Sequence, residues 1–172
     1  MAKAKYQLDD FLVLVNSDCK GFVHTVHEML SREGCKLKIQ VTKSYGLHIS
    51  YSQPKIKTVK GVIVYLLMRD EKLMMRINAG HHAKYPDTLN RLPENILEQM
   101  DKADDCLKMI DPSKCWQGCM GYDFHIGERH YQKCLTNCFL LNIDSEGFPF
   151  LLEIIKNELN ERFANENCYK VT

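Results

Sequence analysis

Four of the eight cysteines in this 172-residue chain fall in one stretch, CWQGCMGYDFHIGERHYQKCLTNC, residues 115 to 138, as two C-x3-C pairs with two histidines between them. A thiolate is at once a nucleophile, a redox centre and a soft metal ligand. Two thiol pairs can complete a tetrahedron around zinc and neutralise the ion without redox chemistry, so Cys115, Cys119, Cys134 and Cys138 are the candidate metal ligands. The spacing is permitted but less specific than the C-x2-C of zinc knuckles. His125 and His130 could supply nitrogen ligands near the hairpin tip, and Trp116 would anchor an irregular loop by burying its ring.

The elements that must position these thiols set a condition on that chemistry. If residues 122–126 and 131 onward pair around a four-residue loop at 127–130, Ile126 faces Tyr131 and Cys119 faces Cys138. In a regular strand Cys134 and Cys138 would stand about 13 Å apart on one face, whereas tetrahedral zinc needs its sulfurs within about 4 Å of one another. A four-cysteine site therefore requires residues 134–138 to turn; extended, they leave thiols that pack as small hydrophobes or form a redox pair. With Tyr122, Phe124 and Ile126 toward the core, Asp123 and His125 face the other way and His130 falls in the turn, as solvated polar residues would. Cys19, Cys35, Cys106 and Cys168 read as structural or incidental.

Two further groupings could bind or react. Between Gly34 and Arg69 lie Lys36, Lys38, Lys43, Lys55, Lys57 and Lys60, with Arg69 and no Asp or Glu, in a chain whose formal net charge is +1. Tyr45, His48, Tyr51 and Tyr65 are interleaved with them, and a basic face carrying aromatics can track a phosphate backbone while stacking bases. Alternating lysines also give a sheet its solvated side and protect its edge. Lys36, Lys38, Lys55, Lys57 and Lys60 are the candidate polyanion contacts. Gly80-His81-His82 sits in a loop, where functional residues gather, but brings no identified nucleophile or orienting acid. There is no Walker loop, G-x-G-x-x-G, HExxH or serine elbow.

The periodicities imply an α+β domain. Leu8, Phe11, Leu12 and Val15, then Phe22, Val26, Met29 and Leu30, repeat at helical spacing, the second helix covering 20–33 before Gly34. Leu37, Ile39, Val41 and Leu47, Ile49, Tyr51 alternate with polar residues as half-exposed strands. Val62 to Met68 is a continuous apolar run, and Leu73 to Ile77 follows a turn at Arg69–Lys72, giving a four-strand antiparallel meander. Residues 85–92 and 94–109 read as helical, 122–126 and 131–143 as strands, and Phe148, Leu151, Leu152, Ile155, Leu159 and Phe163 as one helical stripe. The expectation is a single domain over 1–172: helical at 1–33, strands at 35–78, helical at 85–110, a Cys-rich hairpin at 115–143 and a closing helix at 147–163. N-terminal, middle and C-terminal helices would pack on the meander and the C-terminal hairpin.

The longest apolar runs fall far short of the roughly 18 residues of a membrane span, and Asp9 and Asp10 interrupt what a signal peptide would need. The expected location is the cytoplasm, where thiols stay reduced. The C-x3-C pair, GYDF, HYQKC with a following Phe, an acidic turn and a PF-x10-ER closing helix resemble a family of uncharacterised bacterial proteins of clostridial type. The resemblance runs from the strand segment through residue 162. It implies a small, single-domain intracellular bacterial protein whose Cys-rich hairpin belongs to the family pattern, with no functional residues to transfer.

Together these observations point to a non-enzymatic domain that binds a small molecule or a partner, no cofactor being required by any motif. A zinc- or thiol-dependent protein using the 115–138 cysteines is the alternative, and nucleic-acid or other polyanion binding by the 34–69 face a weaker one. No membrane association is expected.

Overall fold

The computed structural model describes residues 6–53, 61–115, 117 and 119–168, with side chains to residue 164. The chain divides into two compact units, one of residues 1–75 with 142–148, the other of 76–141 with 149–172. The division falls within two strands of a five-stranded antiparallel sheet.

The first unit opens with α1 (Leu8–Leu12) and α2 (Ser17–Arg32), followed by β1 (Lys36–Thr42), β2 (Gly46–Ser52), β3 (Val62–Arg69) and the start of β4 (Lys72–Ile77). Helix α2 buries Phe22, Val23, Val26 and Leu30 at helical spacing and stops where Gly34 takes a φ of 74°. Asp70 and Glu71 both have positive φ, 49° and 61°. They form the two-residue, left-handed connection that suits the twist of a hairpin, one residue tighter at each end than the expected turn. The register sets Leu37 against Tyr51 and Tyr51 against Val64, with Ile39, Ile49 and Leu66 likewise aligned. These residues therefore share one face of the sheet, and His27 Nδ1 lies 3.0 Å from the Tyr51 hydroxyl.

The opposite face departs from the expected alternation. His48 and Ser50 are buried, at 1% and 4% exposure, because β2 is an internal strand flanked by β1 and β3. His48 satisfies both ring nitrogens there: Nδ1 donates to the Gly46 carbonyl at 3.1 Å and Nε2 accepts from Gln40 Nε2 at 2.9 Å. The carbonyl fixes the tautomer, since it can only accept.

In the second unit, α3 (Pro86–Leu89), α4 (Glu94–Asp101) and α5 (Leu107–Ile110) precede β5 (Tyr122–Ile126), β6 (Arg129–Lys133) and β7 (Leu140–Asn142); α6 (Phe148–Cys168) closes the chain. The helix expected over 94–109 breaks after Asp101. Lys133 Nζ donates to the Asp101 and Ala103 carbonyls, each at 2.9 Å, and meets Asp105 Oδ1 at 2.8 Å. A cation at the last carbonyls stabilises a helix C-terminus.

The hairpin forms its own two-stranded sheet, with Ile126 opposite Arg129, Phe124 opposite Tyr131 and Tyr122 opposite Lys133. Its loop is two residues, Gly127-Glu128, with Gly127 at φ 56°. The expected four-residue loop is therefore two residues too long, and the register that would set Cys119 against Cys138 slips by two residues along the second strand, Ile126 meeting Arg129 rather than Tyr131. His130 belongs to β6 rather than to the turn. The expected long strand 131–143 ends at Lys133, and the chain turns before β7 joins the meander sheet as the neighbour of β4. Tyr122, Phe124 and Ile126 do face inward, as the alternation predicts. Phe139 completes an aromatic cluster, its ring centroid 5.1 Å from Tyr122 and 5.8 Å from Phe124.

Helix α6 buries Leu151, Ile154, Ile155 and Leu159, a stripe rotated slightly from the expected one, and Glu158 lies within it at 0% exposure. Among the described residues no helix is long and apolar enough to cross a membrane.

Candidate functional site

A short extended piece, residues 104–106, runs antiparallel to the end of β6. Asp105 bridges to Lys133, the Cys106 N–H donates to the Gln132 carbonyl at 2.9 Å, and the Cys134 N–H donates to the Asp104 carbonyl at 2.8 Å. Immediately after, the N–H groups of Asn137 and Cys138 both donate to the Cys134 carbonyl, at 3.1 and 3.0 Å. Residues 134–138 therefore turn, the condition a thiolate site required.

These elements form a cavity of about 370 Å³ lined by Cys106, Cys115, Cys119 and Cys134 together with Asp104 and Asp105. Cys106 and Cys119 are buried, while Cys115 and Cys134 are half-buried. The Cys115 thiol and the Gly121 N–H both act on the Cys119 thiol. Burial holds Cys119 above the ordinary thiol range; the Gly121 N–H pulls the other way, and the neighbouring Cys115 and Cys134 add to the rise. An amide aimed at sulfur favours the thiolate.

Cys138 is different. It is 0% exposed, it does not line the cavity, and burial pushes its thiol up to about 12. Of the four expected ligands, three line the cavity, and Cys106, which lies outside both pairs, lines it with them. Only the bridge between residues 104–106 and β6 could have revealed it. Among the described residues no group of three or more Cys, His, Asp or Glu side chains stands where it could hold a metal ion. The thiols form an open set around the cavity. Trp116 lies outside the described residues.

His81 and His82 diverge, as adjacent residues do. His82 Nδ1 bonds the Ala79 carbonyl at 2.9 Å and its ring packs edge-on to Tyr122. His81 is tied to Glu158, an acid that no sequence motif marks. Glu158 Oε1 lies 3.0 Å from His81 Nδ1 and 2.7 Å from Arg162 Nε; Oε2 accepts the His81 N–H at 2.9 Å and the Tyr85 hydroxyl at 3.0 Å. Burial first, and then the Glu158 charge, push the Tyr85 phenol far above its usual range, so it remains a donor. One signal for the acid exists in the chain: Glu158 follows Ile154 by four residues, on the apolar face, and precedes Arg162 by four. A carboxylate orienting an imidazole is half of a base-activated nucleophile. Among the described residues no hydroxyl or thiol is hydrogen-bonded to His81, and the carboxylate's capacity is filled by groups that hold the loop onto α6.

On the outer face of the hairpin, the rings of His125 and His130 stack 4.3 Å apart, and His130 Nε2 meets Asp123 Oδ1 at 2.7 Å. Hydrogen bonds from His130 and Gln132 keep the Asp123 carboxyl below its ordinary range. Neither histidine lines the thiol cavity. His125 instead borders an open depression of about 700 Å³ with Glu94 and Arg129, and those two are ion-paired.

Of the candidate polyanion contacts, Lys36 and Lys38 are both exposed on β1, while Lys55, Lys57 and Lys60 lie outside the described residues. The aromatics among them are partly engaged with one another, since the His48 ring lies 5.7 Å from Tyr45 and 6.5 Å from Tyr65. No family model, curated protein or solved structure matches the chain.

Proposed function

We propose that the chain is a non-enzymatic binding protein whose ligand is a soft divalent metal ion of the zinc class, held at the thiol-lined cavity of the second unit. The observation that carries this reading is the meeting of Cys115, Cys119 and Cys134 around one cavity, brought about by the turn at 134–138. Thiolates select zinc over the hard cations because sulfur is polarisable, and four of them leave no open coordination position for chemistry.

The segment between α4 and β5 supplies a reason for such a staple. Among its described residues the regular structure is one four-residue helix and a single 3-10 turn, and Leu107, Ile110 and Met120 remain exposed at 49%, 67% and 81%. A stretch that buries so little gains most from a cross-link, and metal binding to such a segment is folding free energy. Ion uptake therefore tightens the segment as the thiols close on the metal. Cys119, held protonated by burial, gives up its proton when the ion binds, so uptake releases protons and strengthens with pH.

Metal analysis of the full chain, purified without nickel affinity, tests the reading. About one equivalent of zinc supports it; less than about a tenth of an equivalent, with no uptake on adding zinc to reduced protein, would refute a site of this kind.

A further inference from the structure

The paired motif names Cys138 as the fourth ligand, yet that thiol is wholly buried away from the cavity, while Cys106 lines it. Resting on the metal-binding reading above, the geometry points to Cys106, Cys115, Cys119 and Cys134 as the ligand set, a C-x8-C-x3-C-x14-C pattern in which Cys138 is a core residue.

Three features place Cys106 in that role. The antiparallel piece that follows α4 fixes residues 104–106 against Gln132 to Cys134, so Cys106 and Cys134 reach the cavity from two adjoining backbones. Gly121 then makes room for the sulfur: a Cβ at that position would fall 2.3 Å from Cys106 Sγ, closer than any real contact, and its φ of 68° is one that L side chains rarely adopt. Finally, Cys106 makes no side-chain hydrogen bond among the described residues. Each neighbouring carboxylate has one oxygen engaged, Asp105 Oδ1 by Lys133 at 2.8 Å and Asp104 Oδ2 by the Asn137 amide at 2.5 Å.

Cys138 shows the reverse. It is 0% exposed, and the residue after it, Phe139, stacks in the aromatic cluster under the hairpin. Carrying Cys138 to the cavity would require opening the turn that its own N–H closes on Cys134.

X-ray absorption at the zinc edge counts sulfurs directly in the zinc-loaded full chain. Four sulfurs are expected in the unmodified protein, four again in Cys138→Ala, and three in Cys106→Ser. The last variant should also bind zinc at least about tenfold more weakly, since changes one shell further out already cost about 10–100-fold. Three sulfurs with an oxygen in the unmodified protein, or a fall to three in Cys138→Ala, would overturn the assignment while leaving the metal site standing. Failure of the unmodified chain to take up zinc would overturn the metal reading itself, and the assignment with it. Should Cys106→Ser not fold, the counts for the unmodified chain and Cys138→Ala still decide.

Discussion

The Cβ that Gly121 lacks would lie 2.3 Å from the sulfur of Cys106 and 3.1 Å from Met109 Cε. Gly121→Ala should therefore be costly twice over, through a left-handed backbone that disfavours a side chain by roughly 1–2 kcal/mol and through displacement of a buried thiol. Gly127 offers the control, because it also has positive φ, 56°, with nothing within 4 Å of where its Cβ would stand. In urea unfolding, Gly127→Ala should lose only the roughly 1–2 kcal/mol of the left-handed backbone, and Gly121→Ala at least about twice as much. Equal losses would mean that the Cys106 contact relaxes freely.

The Glu158 network makes a separate prediction about stability. Glu158 and Arg162 are 0% and 10% exposed, so removing the carboxylate takes a charge partner from a buried guanidinium that also donates to the Asn78 carbonyl at 2.7 Å. Glu158→Ala should cost about 3–5 kcal/mol, whereas Glu158→Gln, which keeps the shape and one acceptor, should cost roughly 1–3 kcal/mol. His81→Ala removes one bond from a side chain that is 32% exposed, at about 1 kcal/mol. The Glu158 and His81 losses should not add in the double variant, since both sit in one network. Full additivity in denaturant melts would show that the pair is uncoupled.

How far the sequence could anticipate this structure depends on where the controlling interactions lie. The meander was readable because the alternation of Leu37, Ile39 and Ile49, Tyr51 is a local consequence of burying one face. The sheet's internal strand was harder: His48 and Ser50 look solvated by pattern and are buried by position, their polarity answered by partners the pattern does not reveal. The hairpin register turned on Gly127. A glycine at the first loop position signals a two-residue connection of the II′ kind, and taking Gly127-Glu128-Arg129-His130 as a four-residue loop moves every cross-strand pair. That shift sets Cys119 opposite Cys138, where the chain itself turns at Cys134. Cys106 and Glu158 are hidden for a different reason. Each owes its surroundings to contacts far along the chain, Lys133 and Gln132 for one, His81 and Tyr85 for the other.

Alkaline pH should expose the burial of Cys138. Its thiol rises from an ordinary 9.0 to about 12 on folding, chiefly through desolvation. Because the folded pKa is the higher one, the stabilisation is complete below the unfolded value and is lost as pH climbs through the folded value. Stability should fall by about 3 kcal/mol between pH 9 and pH 12 from this group, a three-unit shift at about 1.36 kcal/mol per unit less the half-titrated ends, with the buried tyrosines adding to the loss at the upper end. Urea melts across that range should show a shallower decline for Cys138→Ala. Identical slopes would mean that Cys138 ionises as readily in the folded protein as in the unfolded chain.

Thiol reactivity should separate the cavity cysteines from the core ones and report the metal at the same time. Cys115 and Cys134 are half-buried at the cavity, whereas Cys35 and Cys138 are buried in the two units. Without metal, a small alkylating agent near neutral pH should label Cys115 and Cys134 first, then Cys119, whose raised pKa leaves little thiolate. Zinc should slow labelling of all three, and of Cys106, by at least about tenfold, since a coordinated thiolate has spent its lone pair on the ion. A chelator should restore the original order. Peptide mapping after timed alkylation gives each rate separately. Protection confined to Cys119 and Cys138 would favour a site built on the register the hairpin does not adopt, and labelling unchanged by zinc at every position would remove the thiol cavity as a metal site.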